Sequence, residues 1–529
     1  MPPAATKTLV IGIDAANPTL LRRWAEEGAL PNMRSLMGRG LVGATRSVEG
    51  FFVGSTWPSF YTGVTPARHG FHYLTQLKPG TYDFYRPAAD GIVGRDPFWT
   101  HLSRAGRRVA ILDVPLSRID PSISGIQLVE WGGHDSVYGF QASSAELVET
   151  IRSRFGEYPL GTSCDGAHRT AADYRTFTDL LLKATRIKAD LTKFFLQQGG
   201  WDFFMQVFTE AHCAGHQCWH LHDETHPAHD AAFLESDGDP LRRVYAAIDT
   251  AIGELLEEAG DARVVVLAAH GMSHWYGAQF LLQEILFRLG ATRPAADTEA
   301  GRELSPVMAG ARWMWRRLPI SIRQPLQPLR RRLRPERTPA GSLPKIAAHL
   351  STSCCFPVNN GLAIGGIRLN LTGREPSGVL EPGKADEFCA NLNADLLSIV
   401  DERTNRPLVR RVIRTADLYN GERLDHLPDL LVEWNDKVPT GSTAVGKGAG
   451  AMVHARSPKI GVIEGMNHYG RTGEHRSEGL FIAAGPGVRP GVLEREISIL
   501  DFAPTFTKLL GVEMPGCDGR PVNELLQNS

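Results

Sequence analysis

No apolar run in this 529-residue sequence approaches the roughly 20 residues that a membrane helix requires. The longest, VVVLAA at 264–269, has the length of a strand. The opening MPPAATKTLVIGID has no charged leader, long apolar stretch or small-residue cleavage site, so it reads as the approach to a first strand rather than a secretory signal. Charge of one sign is lacking too. Lys and Arg total 57 against 58 Asp and Glu, a formal net charge of -1, which excludes a global electrostatic attraction for nucleic-acid polymers or anionic membranes. Cysteine is sparse, with seven scattered residues and no repeated CxxC spacing, so neither a zinc knuckle nor a disulfide framework is indicated. Internal repeats and low-complexity tracts are absent. These absences predict a soluble cytoplasmic protein with reduced thiols, no membrane partner and no nucleic-acid partner.

What is present is enough apolar residue, 42%, to build one large core and a second lobe. Short β-branched runs alternate with segments of helical period: TLVIGID (8–14), PTLLRRWAEEG, RVAILDVP (108–115), a helical stretch around 170–198, LRRVYAAIDTAIGELLEEAG (241–260) and ARVVVLAAH (262–270). Such alternation predicts an α/β fold, a mostly parallel doubly wound sheet with helices on both faces. The order also predicts a first core segment at 1–290 and an inserted, cap-like α+β subdomain at 291–440. A return to the core follows at 441–529, where EGLFIAAGPGV reads as a strand and SILDFAPTFTKLLG as a helix. The stretch 291–345, rich in Arg and Pro, reads as a solvated connector or lid, with a binding arm for a phosphorylated ligand as the alternative.

Ionisable residues collect where such sheets bind ligands, at the carboxyl ends of strands. Asp14 and His270 each close an apolar run. Asp14 could cap a helix or project into a cleft. Thr56, in GSTWPSFYTGVTPARHG (54–70), could likewise be a cap, or a nucleophile whose neighbours offer backbone N–H groups to an anion. The run TEAHCAGHQCWHLHDETHPAHD (209–230) is dense in histidine; His212 and His216, four apart, share a helix face and could chelate one ion, while most of His220, His222, His226 and His229 are not needed. His475 precedes another strand. Weaker candidates are Gln76 and Lys78 near the threonine loop, Glu130, His134 and Asp135 in EWGGHD, Arg368 and Arg374 in the insertion, and His426 and His468. For each of these a structural role stands beside a substrate-binding one.

Taken together, an Asp after strand one, a Thr before an aromatic-Pro pair, a GH, an HGM and a late GEHR resemble the type I phosphodiesterase and nucleotide pyrophosphatase family of the alkaline phosphatase superfamily. The closing GLFIAAGPGV, SILDFAPTFTKLLGV and PGCDGRPV look like that superfamily's last strand, helix and tail. The resemblance covers roughly residues 6–290 and 425–525. It implies an alkaline-phosphatase-like sheet carrying two zinc ions, with Thr56 as nucleophile and a small phosphorylated or related ester as substrate. Asp14, Thr56 and His270 would hold one ion, and His212, His216 and His475 the other.

Two positions depart from the family's pattern. In E-x-D-x-x-G-H the Asp is replaced, since this chain reads Glu210-Ala211-His212-Cys213-Ala214-Gly215-His216; His212 would give a three-histidine site with an open fourth position. Where the family usually has Asp-His-Gly-Met, this chain has Ala269-His270-Gly271-Met272. A methyl group cannot bind zinc, so the nucleophile-side ion would bind weakly, recruit another ligand such as Glu210, or be missing, and one or two ions per chain are expected. Two alternatives to a phosphodiesterase stay open: a same-superfamily enzyme acting on another ester or transferring the group, and a catalytically impaired protein that binds a phosphorylated metabolite. A sulfatase is disfavoured, because no Cys/Ser-x-Pro-x-Arg surrounds Thr56.

Overall fold

The computed structural model describes residues 8–87, 93–134, 136–161, 170–294, 346 and 348–526. Most of the 291–345 stretch, and Asp135, therefore lie outside the described residues. Strand β1 (Thr8–Ile13) is buried at every position, as a central parallel strand covered on both faces must be. It is flanked by β6 (Phe203–Phe208) and β7 (Arg263–Ala268), parallel to both. The sheet has nine strands in the order β11-β2-β10-β7-β1-β6-β3-β4-β5. Here β2 is Leu41–Arg46, β3 Val109–Leu112, β4 Gly125–Val129, β5 Gln141–Ala142, β10 Glu478–Ala484 and β11 Gly491–Ser498. Five of its eight pairings are parallel; β10 runs against both of its neighbours, and β5 against β4. The α/β expectation of a mostly parallel sheet holds.

Helices cover both faces. The first, α1 (Pro18–Glu26), begins at Asn17, whose side chain accepts from the Leu20 N–H, so the cap is Asn17 and not Asp14. Next in chain order come α2 (Thr56–Thr62), α3 (Ala171–Leu196), α4 (Glu210–His222), α5 (Pro240–Ala259) and α6 (Phe502–Leu509). A capping box at Thr170 and Asp173 starts α3, satisfying amide donors that the first turn leaves without helical partners. One apolar cluster joins α2 and α6 on one face of the sheet; a second joins α1, α3, α4 and α5 on the other.

Beyond β7 the chain forms a short antiparallel pair, β8 (Gly271–His274) with β9 (Gly473–Arg476), and between these two strands it leaves the main sheet. One four-stranded antiparallel sheet is built there from Cys355–Val358, Ile364–Leu369, Leu430–Trp434 and Val409–Arg414. Another joins Arg406–Pro407, Val400–Asp401, Met452–Ser457 and Gly461–Met466. Strands on both sides of residue 440 thus share the second small sheet, and the main sheet resumes with β10. Among the described residues no helix is long and apolar enough to cross a membrane.

Candidate metal centre

Parallel register sets the site. Thr8 lies beside Arg263 and Gly12 beside Leu267, which brings Asp14 level with Ala269, one residue before His270. On the other side Ile13 pairs with Phe208, so α4 starts at the same edge. Asp14, His270 and the first turns of α4 therefore meet at the carboxyl ends of adjacent strands, where an open α/β sheet forms its crevice.

The imidazoles gather there. His212 and His216 present their rings 4.5 Å apart from successive turns of α4, and His475 reaches both at 4.8 Å between ring centres. The Nε2 atoms of His212 and His475 face each other at 3.2 Å. That is about the separation of two nitrogens each roughly 2.0 Å from a shared tetrahedral ion. His475 lies opposite Met272 in the β8–β9 pair, and His270 is 4.8 Å from it. This close packing of strand on helix depends on Gly473, where a Cβ would fall 2.1 Å from the Gly215 carbonyl oxygen. His216 donates from Nδ1 to the Gly473 carbonyl at 2.8 Å, so Nε2 is its ligand atom, and there it accepts from Arg471 Nη1 at 3.2 Å, a contact that a bound ion would displace.

Burial lowers the pKa of all four histidines; His270 falls to about 4, and His216 and His475 fall well below the usual value with Arg471 adding repulsion. They are neutral at pH 7, the state a metal requires. Burial alone would raise the Asp14 pKa, but His212, His270 and the Trp57 indole together hold it below the usual carboxylate range. Its Oδ2 lies 3.0 Å from His212 Nδ1, its Oδ1 3.9 Å from His270 Nε2, and Trp57 Nε1 donates to Oδ1 at 2.8 Å.

Among the described residues two groups have ligand atoms all within 4.8 Å of one another: His134, His212 and His216, and His216, Glu474 and His475. Both contain His216. The set is chemically apt for a borderline-soft ion such as zinc, which neutral imidazole binds well. Ala269 is buried in the apolar cluster with Trp57 and Phe52, and offers no donor. Glu210 does not replace it: that carboxylate is fully buried 3.2 Å from Lys188 Nζ and accepts from the Tyr158 hydroxyl at 2.8 Å. Removing either member of that buried ion pair would strand a charge, at a cost of about 3–5 kcal/mol.

Thr56 is the first residue of α2, preceded by Ser55 as the cap residue, and is itself buried. Its hydroxyl donates to the Phe52 carbonyl at 2.7 Å, so the contact at 2.5 Å to Ser47 Oγ has Ser47 as donor. Among the described residues these are its hydrogen-bond partners, and the link to Asp14 runs through the next side chain, Trp57. Sequence reasoning missed Ser47, a lone serine after β2 with no motif around it.

Of the weaker candidates His134 joins the histidine cluster, while others are held elsewhere. Gln76 is buried and bonds the backbone at His72 and Gly70, and Lys78 is exposed on a turn. Arg368 and Arg374 are tied to Glu375 and Asp429 within the insertion, so they are structural cations. His426 contacts the Tyr85 hydroxyl, and His468 the Thr443 hydroxyl. Of the remaining α4-region histidines, His222 pairs with Asp239, His229 with the His220 carbonyl, and His220 and His226 meet edge to face.

Comparison with known proteins bears on the family and the fold. The family model described as type I phosphodiesterase / nucleotide pyrophosphatase matches residues 8–441. No curated protein matches the chain. Among solved structures, phosphonoacetate hydrolase from Sinorhizobium meliloti 1021 in complex with phosphonoformate superposes with a TM-score of 0.50 at 14% identity, covering 96% of each chain. An inactive variant of murine ectonucleotide pyrophosphatase / phosphodiesterase 5 in complex with AMP gives a TM-score of 0.46 at 11% identity, covering 97% of each chain. At such identity the likeness concerns the fold.

Proposed function

Because this chain belongs to the type I phosphodiesterase / nucleotide pyrophosphatase family, we propose that it is a cytoplasmic hydrolase of small phosphate esters, with Thr56 as nucleophile and zinc as its metal. The observation that carries the reading is the convergence of His212, His216 and His475 beside Asp14 at one sheet edge. Zinc bound by these imidazoles would supply a Lewis acid that polarises a phosphoryl oxygen. Six free cysteines among the described residues support the cytoplasmic assignment.

Thr56 Oγ1 forms the bond to phosphorus, the ester oxygen leaves in line, and water then cleaves the phosphothreonine. In the resting arrangement the hydroxyl proton points at the Phe52 carbonyl, which cannot accept a full proton transfer. Attack therefore requires the hydroxyl to rotate, and threonine has two usable χ1 wells in a helix. Ser47 can remain a donor to the same oxygen through the turn. Asp14 and His270, both held below their usual pKa, are weak bases and neither bonds the Thr56 hydroxyl, so the departing proton passes to water, with zinc, when bound, supplying the charge that would lower the hydroxyl's pKa. Arg471, 3.2 Å from His216 Nε2, supplies positive charge where an anionic substrate would sit.

A second reading, of a protein that binds a phosphorylated metabolite without turnover, is favoured by one feature: the buried methyl of Ala269 where a carboxylate would complete the nucleophile side. A substrate panel separates the two. We expect cleavage of bis(p-nitrophenyl) phosphate to exceed that of p-nitrophenyl phosphate and p-nitrophenyl sulfate by roughly tenfold or more, a difference of about 1.4 kcal/mol in barrier. Preference for the monoester or sulfate would transfer the chain to the other-ester reading, and no cleavage of any of the three would favour the binding protein.

A further inference from the structure

We propose that His134 joins His212 and His216 as an imidazole ligand of the ion, an assignment that rests on reading the site as a metal centre. His134 comes from the loop after β4, an element that the strand-end argument did not implicate as a ligand source. Its ring centre is 4.1 Å from that of His212 and 5.8 Å from that of His216, and ligand nitrogens of the three lie within 4.8 Å of one another. Its Nδ1 contacts Cys213 Sγ at 3.6 Å, on the residue after His212.

The loop is fixed on both sides of this histidine. Before it, the N–H groups of Trp131 and Gly132 donate to the two oxygens of Asp113, each at 2.9 Å. The Gly132 carbonyl accepts from Lys188 Nζ at 3.0 Å and from the Thr209 hydroxyl at 2.6 Å. Lys188, fully buried, also bonds Thr209, so one cation ties the His134 loop to the start of the helix that carries His212 and His216. No side chain is tolerated at Gly132, where a Cβ would lie 2.7 Å from Lys188 Cε and 2.9 Å from Asp113 Oδ2. After it, the Glu130 carboxylate accepts from the Ser136 hydroxyl and from the N–H groups of Val137, Tyr138 and Gly139. Two carboxylates and one ammonium thus hold the ring against α4, the support that precise ligand placement needs.

The test uses the full chain loaded with zinc or with cobalt(II) as a spectroscopic substitute. X-ray absorption on the zinc protein should count one more imidazole per ion in the wild type than in His134→Ala; equal counts would overturn the assignment. In parallel, His134→Ala should weaken zinc binding at least roughly tenfold by chelator competition, the lower bound set by changes in groups that only orient ligands. The visible cobalt bands should also lose intensity as water joins the ion. Unchanged affinity and spectrum in a folded His134→Ala protein would overturn the proposal while leaving the metal-centre reading intact. A wild-type protein that takes up neither zinc nor cobalt would sink both.

Discussion

Thr56→Ala is expected to lower the turnover of bis(p-nitrophenyl) phosphate by roughly 10³-fold or more, with ion content unchanged. The expectation follows from its place. Thr56 opens α2 with its hydroxyl buried, held by Ser47 on one side and by the Phe52 carbonyl on the other. Alanine keeps the helix, since it has the better helical propensity, and removes only the oxygen. The substitution removes no imidazole, so the ion held by the histidines should stay. Rapid quenching and mass spectrometry supply the matching readout: a phosphate adduct on the peptide containing Thr56 in the wild-type chain, absent from the variant. Turnover within a few-fold of wild type would mean that water attacks directly, and would remove Thr56 from the chemistry.

A gain of function should follow from Ala269→Asp. The residue ends a parallel strand level with Asp14, so a carboxylate there would enter the same crevice and give Asp14 and His270 a third charged or neutral donor. We expect a second ion per chain, bound at least roughly tenfold more tightly than on the unaltered protein, and faster ester cleavage. The change also places a charge beside Trp57 and Phe52 in an apolar cluster. Without metal the variant should therefore be the less stable protein, by roughly 1–3 kcal/mol for an unsatisfied buried polar group, and zinc should restore it. The paired measurement is thermal unfolding with and without zinc. Equal stability in both conditions, with no gain in rate, would show that position 269 does not face the nucleophile.

How much of this was written in the sequence depends on whether a residue's partner is local. TLVIGID and ARVVVLAAH read as strands because a parallel strand buried on both faces is continuously apolar, and both fell in place as β1 and β7. His212 and His216 could be paired because helical spacing is itself a distance. Lys188 could not be read: in the periodic helix α3 a lysine looks like a solvent residue, and its reason for burial, Glu210 and the Gly132 carbonyl, comes from other elements. Arg368 and Arg374 carried a substrate-binding alternative beside the commoner salt-bridged role, and the salt bridges are what forms, with Glu375 and Asp429 of the same insertion as the anions. Asp14 and Thr56 each carried a capping alternative, and the caps are instead Asn17 and Ser55. The 440 boundary placed Met452–Ser457 in the core, whereas its pairing partner Val400–Asp401 lies in the insertion, a long-range pairing that no local pattern announces.

Removal of metal is the most direct trial of the whole account. Purified protein would be titrated with a chelator while zinc content and bis(p-nitrophenyl) phosphate cleavage are followed on the same samples. The account predicts that the two fall together and that both return on adding zinc. Cleavage that persists at full rate in protein stripped of metal would contradict it.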